Sequence, residues 1–302
     1  MIVVCGEALM DVIHNGDGTQ RAVPGGGPFN TARALARLGV PTAFLGHLSD
    51  DPFGRELAEL LKADGVSLDF ATVGTEKTTI AIADVDSEGL AEYEFMVQDS
   101  SAPQVTLQML PDRLGPKVNA LHIGTLGLVL EPMASTLVEL MHRERDARVM
   151  MLDPNIRAGL IPDDVYRERL RDVVSHSTIV KASEADLAWM FPGISYREAA
   201  EQLLRNGLPL VVVTLGAAGS FGAHRDLRLR VDAKQVHIVD TIGAGDAFGA
   251  ALMAWLHDHR HLDRDLTLES DQLLAALQYA SAAAAITCSR AGADPPWKHE
   301  ME

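Results

Sequence analysis

Cysteine is nearly absent from this chain. The two that occur, Cys5 and Cys288, stand far apart and at no metal-ligand spacing. A disulfide framework is excluded, and a reducing cytoplasmic compartment is expected. Aromatics are scarce too, at 5%, so a core built from these 302 residues must rely on aliphatic side chains and alanine. Positive charge is in deficit, with 26 Lys and Arg against 42 Asp and Glu and a net charge of -16. The chain therefore lacks both the basic footprint of a nucleic-acid partner and any attraction to an anionic membrane. No charge-free apolar run reaches the roughly 18 residues of a membrane span. The first 11 residues meet Glu7 and Asp11 with no basic segment before them, and read as a buried strand rather than a signal peptide. No repeat, low-complexity tract or interdomain linker interrupts the chain, so residues 1–302 read as one domain. An anionic ligand would need a local site made of backbone N–H groups, a helix N-terminus and a metal ion.

What the sequence does have is alternation. Short β-rich runs at 2–5, 42–48, 120–123, 149–152, 178–181 and 210–214 are separated by helical patterns at 29–38, 53–63, 133–143, 163–174 and 196–206. Such spacing predicts βαβ units and an α/β fold with a mostly parallel sheet covered on both faces. Two stretches depart from it. Residues 78–85 and 90–97 are consecutive strand patterns around the turn 86–89, and 12–18 reads as a hairpin tip through its Asn-Gly and Asp-Gly pairs. Together they predict a small antiparallel sheet from about 12–24 and 77–98. Residues 221–223 and 227–231 predict a further hairpin, and two helices follow at about 244–257 and 271–288. The second helix carries four consecutive alanines, Ala282 to Ala285, small enough to let it approach a sheet or a ligand closely.

The chemistry concentrates at Asp240-Thr241-Ile242-Gly243-Ala244-Gly245-Asp246, which follows a strand pattern at 236–239 and opens a helix. Gly243 and Gly245 allow backbone conformations and close approaches that a Cβ would block. The unpaired N–H groups of the first helical turn and the helix dipole favour an anion there. Asp246 is either a dipole partner of that helix or a proton acceptor. Phosphoryl transfer to an alcohol needs both an anion cradle and such an acceptor.

The whole run, continued by Phe248, Ala250 and Ala251, resembles the C-terminal signature of the ribokinase-like (PfkB) carbohydrate kinases. The segment from Pro24 through Gly25, Gly26, Gly27, Asn30 and Ala32 to Gly39 resembles the other signature of that family. The resemblance spans nearly the whole chain. It implies a three-layer domain with a β lid, ATP and Mg²⁺ as cofactors, a monovalent cation such as K⁺, and a homodimer formed through the lid. Asp246 would be the base, with Gly243, Ala244 and Gly245 as the anion hole, and Asp11, Gly26, Gly27 and Asn30 would hold the sugar.

Asp153-Pro154-Asn155-Ile156-Arg157 resembles a motif of fructokinase-like members, in which Arg157 would reach substrate or phosphate. Lys181, Thr214, Gly216 and Gly219 fall on the nucleotide side. Asp186 stands where the family orders Mg²⁺ through water with a Glu, and Ser49 where Gly is usual. Val97 marks the absence of a lid Arg common in fructokinases. Within the family, Gly6 to Asp11, Asp153 to Arg157 and Lys181-x-Ser183 favour a fructokinase-like or 2-keto-3-deoxygluconate kinase-like member over ribokinase or adenosine kinase. A non-catalytic sugar-binding protein on the same fold is the alternative of a different class. A dinucleotide-dependent oxidoreductase is disfavoured, because no Gly-x-Gly-x-x-Gly follows the first strand.

Overall fold

Strand β1 (Ile2–Cys5) is apolar at every position because both of its faces are covered. Side chains alternate along a strand, so Ile2 and Val4 enter one hydrophobic cluster while Val3 and Cys5 enter another. The same division repeats at Val149 and Met151 against Met150 and Leu152, and at Leu210 and Val212 against Val211 and Val213. Two cores on opposite faces of one sheet define three layers. The computed structural model that shows this describes residues 1–14, 19–85 and 91–302.

The central sheet is built from β1, β4 (Thr42–Leu45), β9 (Ala120–Gly124), β10 (Val149–Asp153), β11 (Ile179–Ser183), β12 (Leu210–Thr214), β13 (Ser220–His224) and β14 (Leu227–Val231). Their order is β14-β13-β12-β11-β10-β9-β1-β4. Pairing is parallel from β4 to β12, and the last two strands add an antiparallel hairpin at the edge. One face carries α1 (Gly27–Arg37), α2 (Pro52–Ala63), α7 (Ala244–Asp258) and α8 (Ser270–Cys288). The other carries α3 (Met133–Glu144), α4 (Asp163–Ser175), α5 (Glu184–Met190) and α6 (Tyr196–Arg205).

A second sheet of four strands is formed by β2 (Leu9–His14), β3 (Gln20–Gly25), β7 (Ile80–Val85) and β8 (Ala91–Met96), in the order β3-β2-β7-β8. Two antiparallel hairpins meet through the parallel pair β2 and β7. The turns expected at 15–18 and 86–89 lie outside the described residues. The single strand expected over 42–48 is broken at Gly46. Here a Cβ would lie 2.6 Å from both the Gly6 carbonyl and the Phe44 ring, and the chain restarts as β5 (His47–Ser49), which pairs with β6 (Thr72–Gly74). Ser49 accepts the Asp51 N–H at 2.9 Å through its hydroxyl, just before α2. Among the described residues no helix is long and apolar enough to cross a membrane.

Candidate active site

The glycine turn before α7 is shaped by two constraints. Gly243 has φ 76°, in the left-handed region, and a Cβ on it would lie 2.6 Å from that of Ala293. Only glycine satisfies both conditions. The Asp240 carboxylate ties the turn down, accepting the Ile242 N–H at 3.1 Å and the Gly292 N–H at 2.9 Å. Gly245 and Asp246 then begin α7, where backbone N–H groups have no intrahelical acceptor.

The strand expected over 236–239 does not form. The segment runs past α8, and the Val239 N–H donates to the Cys288 carbonyl at 2.8 Å instead of to a sheet. Its apolar side chains have another use. Val236 and Ile238 line a cavity of about 300 Å³ with Ala284, Ala285 and Phe248. The alanine run of α8 thus serves both possible purposes, since Ala283 is buried in the core while Ala284 and Ala285 face this cavity. Gly216, Gly219 and Ala244 also stand in its wall.

A second cavity, of about 290 Å³, adjoins the first through the shared wall residues Thr214, Thr241 and Gly245. It is polar, and it gathers residues distant in sequence. Asp246 projects from α7, Asn30 from α1, Asp11 from β2, and Lys181 and Asp186 from β11 and α5. Gly26, Gly27, Gly243 and Arg157 complete the expected set. Every site residue named from the sequence therefore falls in one cavity or the other.

Asn30 holds Asp246 in place, donating from Nδ2 to Oδ2 at 2.9 Å, while its own buried Oδ1 has no partner among the described residues. Gly27 must be glycine, because a Cβ there would meet Thr125 Oγ1 at 2.6 Å and Asp246 Oδ1 at 3.5 Å, in the space beside the carboxylate. Burial raises the pKa of Asp246, opposed by the Asn30 hydrogen bond and by the charges of Lys181 and Arg157. Burial likewise pushes Asp11 up to about 6, partly offset by Arg157.

Lys181 forms a buried ion pair with Asp153, 2.7 Å from Nζ to Oδ2. Burial alone would lower its pKa, but Asp153, Asp246 and Asp186 outweigh that and hold the ammonium charged. Asp186 is engaged on both oxygens. Oδ2 accepts from the Ser183 amide and hydroxyl at 2.8 and 2.6 Å, and Oδ1 accepts the Ile156 N–H at 2.8 Å. Arg157 donates to the carbonyls of Asn155 and Ile156 and to Asn155 Oδ1.

Glu7 and Thr125 of the cavity wall, and Arg21 outside it, were not named as site residues from the sequence. Glu7 is fully buried, accepts the Gly127 N–H at 3.2 Å through Oε2, and has no partner for Oε1 among the described residues. Burial pushes its pKa up to about 8, so it is mainly protonated at neutral pH. Thr125 adopts φ 54° directly after β9 and directs its hydroxyl toward Gly27. Arg21, on β3, brings a guanidinium to 3.9 Å from Asp240. Glu7 had a signal, an acid two residues past an apolar strand. Thr125 and Arg21 had none, since their positions depend on which strands become neighbours.

Residues 1–300 match the pfkB family of carbohydrate kinases, and the chain belongs to that family. It is an ATP-dependent sugar kinase of the fructokinase-like kind. A fructokinase of Rhizobium leguminosarum bv. trifolii is 37% identical over 286 residues, covering 93% of this chain and 83% of that protein. Fructokinase-1 of Oryza sativa subsp. japonica is 34% identical over 317 residues, covering 100% and 96%. The fold is the ribokinase-like one. It matches the Vibrio cholerae O395 fructokinase in its fructose, ADP and calcium ion bound form with a TM-score of 0.85, at 28% identity over 97% of this chain and 94% of that one. It matches the Xylella fastidiosa fructokinase with bound ATP with a TM-score of 0.90, at 25% identity over 99% and 96%.

Proposed function

We propose that this chain transfers the γ-phosphoryl group of ATP to a primary hydroxyl of fructose, with Asp246 as the base. The observation that carries the reading is the pinned carboxylate. Asn30 holds Asp246 Oδ2, leaving Oδ1 toward the cavity, and the glycine turn of α7 lies beside it. The names of the relatives favour fructose.

In this mechanism the sugar lies between the two sheets, held by Asp11, Asn30 Oδ1 and the backbone at Gly26 and Gly27. A carboxylate and a carboxamide oxygen suit vicinal hydroxyls. Asp246 takes the hydroxyl proton as the oxygen attacks in line, and the Gly243, Ala244 and Gly245 amides stabilise the charge on the transferred group. The nucleotide base occupies the apolar cavity between Val236 and Ala284, near Gly216 and Gly219. Thr214 and Lys181 face the phosphates. The four-stranded sheet serves as the lid that excludes water, and two copies pair across it in the cytoplasm, where Met96 of β8 is 55% exposed.

The residues suit Mg²⁺. Asp153 Oδ1 is buried with no partner among the described residues and is the oxygen left to a hydrated ion. Asp186 in the same wall has both oxygens engaged and would meet the ion only through its water shell. When bound, Mg²⁺ neutralises charge on the β- and γ-phosphates.

A second reading, phosphorylation of a keto-deoxy sugar acid, is favoured by Arg157. Its guanidinium lines the cavity and has no carboxylate ion pair among the described residues. A coupled ADP-release assay over hexoses, keto-deoxy acids, inositols and nucleosides separates the readings, with fructose expected to give the highest kcat/KM. Preference for a sugar acid selects the second reading, and sugar binding without turnover selects a binding protein. Repeating the assay in K⁺ and Na⁺ salts tests the monovalent-cation requirement.

A further inference from the structure

Away from the kinase cavity, three potential metal ligands converge between α3 and α4. His142 lies in the last turn of α3, Asp172 in the last turn of α4, and His176 follows α4 directly. His142 Nε2 is 2.9 Å from Asp172 Oδ2, and His176 Nδ1 is 3.4 Å from Asp172 Oδ1. The two imidazoles meet edge to face with centroids 4.7 Å apart. One donor atom from each of the three residues lies within 4.8 Å of the others. We propose that His142, Asp172 and His176 form a binding site for one divalent transition-metal ion of the Zn²⁺ class, which staples α3 to α4.

The chemistry of the donors supports the assignment. Two imidazoles and a carboxylate suit Zn²⁺, Co²⁺ or Ni²⁺ rather than Mg²⁺, which prefers an all-oxygen shell. An ion-pair cluster alone explains the arrangement less well. Two imidazolium rings in contact would repel each other; two neutral rings avoid that, and an ion taking the place of the proton at His142 Nε2 is bonded to ring and carboxylate at once. The Asp172 carbonyl lies 2.8 Å from His176 Nδ1. That is the nitrogen facing Asp172 Oδ1, so an ion held there displaces the carbonyl contact.

Metal–ligand bonds of about 2.0–2.2 Å require the donors to approach a little further. The side chains of His142 and Asp172 are 37% and 39% exposed, so they have room to rotate and to admit a water as fourth ligand. Both helices pack on the turn at residues 125–128, and Arg169 of α4 donates to the Leu128 carbonyl at 2.9 Å. Thr125 and Leu126 of that turn line the polar cavity. The staple would therefore steady one wall of the site without entering the reaction.

The test uses the full chain, with CoCl₂ and ZnCl₂ as probes. Calorimetry and visible spectra compare the wild type with His142→Ala, His176→Ala and the shape-conserving Asp172→Asn. The wild type should take up one more Co²⁺ than any of these variants, with a tetrahedral spectrum. Zn²⁺ should raise the Tm of the wild type alone, and each variant should bind at least about 10-fold more weakly, the loss seen even when an outer-shell partner is removed. Equal stoichiometry and an equal Tm shift in the wild type and all three variants would overturn the site. So would a Co²⁺ spectrum that stays octahedral.

Discussion

At the scale of single residues, the polar cavity is a set of carboxyl groups whose protonation is set by burial. Asp11 has its pKa pushed up to about 6, and that of Asp246 is also raised. Both act as carboxylates in the proposed reaction, one accepting sugar hydroxyls and the other the transferred proton. Acid should therefore suppress kcat/KM, which reports groups of the free enzyme. The expected profile falls as pH drops through about 6, and Asp11→Asn removes the limb belonging to that residue while lowering sugar affinity. A profile flat from neutrality down to about 4.5, near an unperturbed carboxyl group, would contradict the burial argument.

At the scale of elements, the turn that opens α7 is the part of the site with least freedom. Gly243→Ala must place a Cβ in the left-handed region and against Ala293. Gly292→Ala is the matched control, since Gly292 has φ 71° and open space around its Cβ position. We expect Gly243→Ala to lower kcat by roughly 10- to 100-fold through misplacement of the turn, and Gly292→Ala to cost stability with little change in kcat. Equal kcat losses in the two variants would leave backbone strain, and not the Ala293 contact, as the cause.

The elements also show what the sequence could and could not reveal. Helices announce themselves by periodicity and buried parallel strands by short continuous apolar runs, and the two glycine-rich signatures fell where a helix begins. The segment 236–239 misled because an apolar β-branched run satisfies the strand pattern whether it buries against a sheet or lines a cavity. Gly46 divided one expected strand into β4 and β5 because of Phe44 and the Gly6 carbonyl, neighbours that only the folded chain supplies. Arg21 and Thr125 were silent for the same reason, whereas Asp246, Asn30 and Asp11 stood inside recognisable motifs.

At the scale of the whole molecule, the chain carries a net charge of -16 and still buries acids around one site. Glu7 is the clearest thermodynamic case. Burial gives it a pKa of about 8 in the folded chain against 4.5 for a free side chain. The stability contributed by that proton is present in full below 4.5 and is lost as pH rises through 8. Glu7→Gln keeps the neutral shape, so its unfolding free energy should fall less steeply than that of the wild type as pH rises from about 4.5 to 8. Parallel stability–pH curves from denaturant unfolding would mean that Glu7 is charged in the folded protein, with Arg157 outweighing burial.

The chemistry of the site converges on one carboxylate. The most direct measurement is the turnover of Asp246→Asn alongside calorimetric binding of sugar and nucleotide to the same variant. Asn30 can still hydrogen-bond the side chain there, so geometry is conserved while the proton acceptor is lost. The account predicts a loss of roughly 10²- to 10⁴-fold in kcat, the usual worth of a general base, with sugar affinity little changed. Near-normal turnover in that variant would contradict it and remove Asp246 from the chemistry.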